Sequence, residues 1–174
     1  MVTHCGIKCS GGVRTVWRKY FWTVSTVGMF VCGYVIHIAY EVSGHTAWSL
    51  LVSSVGSSPW EMTKPFALVY ILWTFIELSC LRPSLLHFVC ARIFMLHGFA
   101  VMSVSMLFFA PKNDMVPYLC IFSALAIAEY LSHWLYGTKY RMELFWIPIF
   151  ISFVGFFTML LFASVFPPPF FPFQ

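Results

Sequence analysis

Glu129 and His133 stand one helical turn apart in an apolar stretch of this 174-residue chain. The i,i+4 spacing puts them on one face of a helix and within mutual reach. A carboxylate and an imidazole so placed can neutralise each other and fix packing against a second helix. The same pair could also pass a proton, or contact a quinone or a sterol near an interface. His37, Glu77 and His97 fall in similarly apolar surroundings. An ionisable group at membrane depth costs about 3 kcal/mol on insertion scales, so each of the five needs a partner or a purpose. Paired histidines from different helices can ligate haem, but nothing in the spacing of His37, His97 and His133 selects it. Glu77 with a histidine is the weakest possibility, an intramembrane acid–base pair.

Other chemistry is hard to place. His4, Cys5 and Cys9 have a loose metal-like spacing with no second ligand pair of recognised spacing. The chain carries no Gly-rich phosphate loop and no Ser/His/Asp or Cys/His arrangement, so it reads as a non-enzyme with no cofactor and no resident metal. Cys32, Cys80, Cys90 and Cys120 fall in or at the edge of apolar stretches, where they serve as small hydrophobes.

The elements that must position these residues are membrane helices. Apolar residues make up 60% of the chain and charged ones 9%, against roughly 25% charged in a soluble domain. A spanning helix needs about 20 mostly apolar residues. Five stretches qualify: Tyr20 to Tyr40, Pro65 to Leu81, Ile93 to Pro111, Met115 to Tyr136 and Leu144 to Phe166. The predicted fold is an all-α integral membrane bundle of five transmembrane helices, or four if residues 65–81 do not span. One membrane domain covers residues 1–174, with a basic segment at 1–19 and a Pro/Phe-rich tail at 167–174.

Basic residues arbitrate between five spans and four. With five, Lys8, Arg14, Arg18, Lys19, Arg82, Arg92, Lys139 and Arg141 share one side, leaving Lys64 and Lys112 on the other. Without the second span the basic residues divide evenly. The positive-inside rule favours the uneven distribution and places the amino terminus on the positive side. Arg14, Arg18, Lys19, Arg82, Arg92, Lys139 and Arg141 are then the expected contacts for anionic phospholipids, cardiolipin if the membrane is mitochondrial. Trp17, Tyr20, Phe21 and Trp22 beside them suit an interfacial aromatic belt. The net charge of +4 is explained by this topology, so nucleic acid is not an expected partner.

Small residues let helices approach closely in lipid, and Gly28, Gly33, Ser103, Ser123, Ala124, Ala126 and Ala128 are the candidates. The tail is too apolar to stand free in water. Pro167, Pro168, Pro169, Phe170 and Phe171 favour an extended form that can dock in a partner's aromatic groove.

One region has a familiar pattern. Ala91-Arg92-Ile93-Phe94 opens a span, Pro111-Lys112-Asn113-Asp114 forms a polar loop leading to Tyr118, and Glu129-Tyr130-Leu131-Ser132-His133 precedes Tyr136-Gly137-Thr138. This stretch resembles the small endoplasmic-reticulum proteins of ergosterol biosynthesis that tether the sterol C-4 demethylation enzymes. Glu129 and His133 are exchanged relative to that family, and residues 65–81 form an additional span. The resemblance implies a non-catalytic scaffold whose spans bind other integral membrane proteins of a larger complex, in the endoplasmic reticulum. The same features suit an accessory subunit of a respiratory or ATP synthase complex in the mitochondrial inner membrane. A binder of sterol, quinone or haem between helices is the remaining alternative.

Overall fold

Ser58 begins a helix by capping it. Its hydroxyl accepts the backbone N–H of Glu61 at 3.2 Å, and Pro59 fills the first helical position, where a missing amide donor costs nothing. That helix, α2, runs Pro59–Leu81. It therefore starts six residues before the expected span, and Pro65 lies inside it rather than at its start. In the computed structural model, which describes residues 11–43, 58–81, 85–111, 115–137 and 146–162, the other helices are α1 (Gly11–Val42), α3 (Leu85–Phe109), α4 (Val116–Gly137) and α5 (Trp146–Phe162). The fold is an all-α bundle, as composition and the length of the apolar runs imply.

Among the described residues, three helices are long and apolar enough to cross a membrane, over Tyr20–Ala39, Leu85–Phe109 and Val116–Tyr136. The apolar run in α5, Trp146–Met159, is shorter. α2 is interrupted by Glu61, Lys64 and Glu77, all three buried within the bundle.

α1, α2, α3 and α4 close into a ring in which each helix touches the next and α1 meets α4; α5 lies outside, against α3. Neighbours in the ring run antiparallel. Gly28 of α1 meets Trp73 of α2, and Gly33 meets Phe66. Trp22 stacks edge-on against Tyr130 of α4, and Phe30 against Phe122. The core is Met29, Phe66, Tyr70, Leu96, Phe99, Ile121 and Leu125 with small residues between them. Large apolar side chains cover the outside, including Val24, Val31, Phe75, Val101, Leu119 and Ile151. Such a surface is unfavourable in water and natural in lipid.

Lipid tails supply no hydrophobic force between helices, so polar contacts and close packing must hold the ring. Each neighbouring pair in the ring has at least one polar clasp, and so does the α3–α5 contact. Ser25 bonds Glu77 at 3.0 Å between α1 and α2. Thr63 and Ser103 share a hydrogen bond of 3.1 Å between α2 and α3. Arg92 joins α3 to α4 through Glu129. Tyr118 meets His37 Nε2 at 3.1 Å between α4 and α1. Ser152 meets His97 Nε2 at 2.9 Å between α5 and α3.

Candidate functional site

The site builds around a residue that the sequence suggests is a boundary. Arg92 is the cation closing a charged gap before the third apolar run, so it reads as a headgroup contact. In the structure α3 begins at Leu85, which places Arg92 about 10 Å along the helix from its start. Its side chain is 2% exposed and points into the ring. The expected lipid contact is thus corrected: the guanidinium is held by side chains of α2 and α4. Two carboxylates deep in the bundle require a cation more than any headgroup does.

The guanidinium forks across Glu129. Nη2 donates to Oε1 at 2.9 Å and Nη1 to Oε2. Nη2 also pairs with Oε2 of Glu77, and Nη1 donates to the Tyr70 hydroxyl at 3.1 Å. The Tyr70 and Phe88 rings lie 5.2 Å and 5.5 Å from the guanidinium carbon, close enough for cation–π attraction. The Oε1 of Glu77 accepts the Ser25 hydroxyl. Both carboxylates are fully buried. Such bidentate, charge-assisted bonds are the strongest polar contacts a side chain makes.

Glu129 and His133 do meet, as their spacing requires, with His133 Nε2 3.4 Å from Glu129 Oε1. The imidazole is the secondary partner of this carboxylate, and Arg92 the primary one. Glu77 joins the same cluster from α2. The structure therefore unites Glu77, Glu129 and His133, and separates His37 and His97 from them. The Nδ1 of His97 donates to the Ile93 carbonyl at 2.8 Å, which leaves Nε2 to accept the Ser152 hydroxyl. His37 is bonded to Tyr118, with Tyr34 packed on both rings.

Could the cluster hold a metal? The nearest donor atoms of Glu77, Glu129 and His133 lie within 4.8 Å of one another. Arg92 already engages both carboxylates, however, and its positive charge occupies the place a cation would take. With the guanidinium seated between them, the carboxylates leave no open position for a metal ion. A groove lies away from this cluster. It has a volume of about 640 Å³ and opens where α3 ends and α4 begins, lined by Met106, Phe109, Ala110, Val116, Leu119 and Ser123. Its lining is almost wholly apolar and contains no histidine.

Of the small residues expected at helix contacts, Gly33, Ser103, Ala124 and Ala128 are buried, Gly28 and Ala126 are half-buried, and Ser123 is exposed. The expected lipid contacts at Arg14, Arg18, Lys19, Arg82, Lys139 and Arg141, and the docking tail Pro167, Pro168, Pro169, Phe170 and Phe171, lie outside the described side chains. Searches against protein-family models, curated proteins and solved structures find no match.

Proposed function

We propose that this chain is a non-catalytic membrane scaffold or accessory subunit that packs within a larger multi-protein membrane complex. The observation that carries this reading is the use made of the ionisable groups at membrane depth. Arg92, Glu77 and Glu129 are 0–2% exposed and spend their hydrogen bonds on one another and on neighbouring helices. A catalytic group must reach a substrate, and these reach only their own bundle.

In this reading all five helices cross the membrane, with the amino terminus on the positive side. α2 supports it by running alongside the apolar stretch of α1 from Gly33 back to Ser25. Anionic phospholipids gather at the basic ends, and other integral membrane proteins cover part of the apolar outer surface. The complex is the sterol C-4 demethylation assembly of the endoplasmic reticulum, on the resemblance around residues 91–138, or a respiratory or ATP synthase complex of the mitochondrial inner membrane.

Purification of a tagged chain in mild detergent, with mass spectrometry of what accompanies it, tests the proposal. Stoichiometric recovery of sterol C-4 demethylation enzymes supports the first assembly, and recovery of respiratory-chain or ATP synthase subunits the second. A lone chain carrying a pigment or lipid overturns both.

The groove between α3 and α4 favours one second reading, an intramembrane binder of a sterol or quinone. Its volume lies within the usual range for small-molecule sites, about 300–1,000 Å³. A photoreactive sterol that labels the chain, and no longer does so in Ala110→Trp, would establish it.

A further inference from the structure

The Arg92 cluster does not balance its own charge. Arginine stays protonated in proteins, so the cluster holds one fixed cation against two carboxylates, Glu77 and Glu129. With both acids ionised and His133 neutral, one negative charge is left at membrane depth, where solvation cannot offset it. One additional proton restores neutrality.

The geometry says where that proton goes. Both Glu129 oxygens already accept from Arg92. On Glu77 one oxygen faces Arg92 and the other accepts from Ser25. Protonating Glu129 would give up a bond from Arg92, and protonating Glu77 would either weaken its Arg92 pair or turn the Ser25 hydroxyl from donor to acceptor. His133 Nε2 lies 3.4 Å from Glu129 Oε1 and is 30% exposed, against 0–2% for the other members. It stands one helical turn nearer the carboxyl end of α4 than Glu129. It is the member of the cluster with both a route to the outside and a ring nitrogen turned toward the excess charge.

We propose that Glu77, Arg92, Glu129 and His133 form a proton-binding site, loaded through His133, whose occupancy sets how firmly α2, α3 and α4 are held together. The ligand is a proton drawn from the aqueous phase on the side where α4 ends. The titratable and charged groups facing the site are Glu77 and Tyr70 from α2, Arg92 from α3, and Glu129 from α4. The ring pair of His87 and Tyr136 lies nearer the helix ends, and α1 contributes the Ser25 hydroxyl. When His133 carries the proton, two cations face two anions. When it does not, the carboxylates retain only Arg92, and the ring is held less tightly. Stability that depends on this proton is present below the ordinary imidazole value, about 6.5, and is lost over the pH range above it.

The test is thermal unfolding of the full chain in lipid nanodiscs from below that value to well above it, for the wild type, His133→Gln, Glu77→Gln and the double variant. The wild-type midpoint is expected to fall by about 5 °C with rising pH. His133→Gln is expected to stay at the lower value throughout. The double variant has one cation and one carboxylate, needs no proton, and is expected to regain stability and show no pH dependence. Should His133→Gln fail to fold, recovery of a folded chain in the double variant carries the same information. A pH-independent wild type, or a double variant whose losses are the sum of the two single ones, makes the cluster a static clasp and overturns the proposal. A protonated-carboxyl band in the infrared spectrum at neutral pH, lost in Glu77→Gln, would place the proton on the acid and overturn its assignment to His133.

Discussion

Arg92 forms hydrogen bonds or ion pairs with three side chains on two other helices, and its removal reaches all of them. Arg92→Leu leaves Glu77 and Glu129 facing each other with no guanidinium between them in a buried site. Breaking a buried pair in this way costs about 3–5 kcal/mol, and the unfolding midpoint in detergent should drop by about 10 °C. Arg92→Lys should recover only part of the loss, because an ammonium cannot fork across Glu129 while also reaching Glu77 and Tyr70. Half of this site is legible in the sequence. The Glu129–His133 spacing and the apolar setting of Glu77 both announce themselves. Arg92 does not, because a cation beside an apolar run looks like the end of that run. The overlooked signal lies in the acids, since two carboxylates at membrane depth demand a cation somewhere on a neighbouring helix.

Between helices, close approach depends on missing side chains. A Cβ on Gly33 would lie 2.4 Å from Cδ1 of Phe66, a fully buried ring with no room to withdraw. Gly33→Val should therefore force α1 from α2 and cost about 1–3 kcal/mol, read as a lowered unfolding midpoint. Gly155→Ala is the matched control, because nothing lies within 4 Å of that position. α5 offers a milder test. A double-mutant cycle of His97→Leu and Ser152→Ala should give a coupling of about 1 kcal/mol, the scale of an interhelical hydrogen bond in lipid. Helix boundaries were legible where caps exist. Ser58-Pro59-Trp60-Glu61 has the form of a capping box, yet a search for charge-free runs passes over it and starts the helix at Pro65. The pairing of His97 with Ser152 and of His37 with Tyr118 left no trace in the sequence, since those partners lie on helices far apart in the chain.

For the whole chain, moving Arg92 into the bundle alters the charge distribution without reversing it. Lys64 is buried in the bundle as well, so with five spans Lys8, Arg14, Arg18, Lys19, Arg82, Lys139 and Arg141 stand against Lys112. Five spans put residues 57 and 84 on opposite faces of the membrane, and a non-spanning α2 puts them on the same face. Single cysteines there, probed with an impermeant thiol reagent in sealed vesicles lacking the other cysteines, should react from opposite sides. Fold class was legible from composition because lipid imposes helices on any chain this apolar. Which helices touch was not legible, because a helix that is apolar all round gives no pattern to show which face is inward.

The bond between Glu77 and Arg92 also bears on how the chain is made. α2 leaves the ribosome first, carrying an acid whose cation has not yet been translated. Released alone into lipid it would expose that carboxylate at a cost of about 3 kcal/mol, and α3 alone would expose its guanidinium at a similar one. Joined as a hairpin, the two charges cancel. A spanning α2 is therefore expected to insert more readily with α3 than alone, and an insertion assay on chains truncated before and after Arg92 would show the difference.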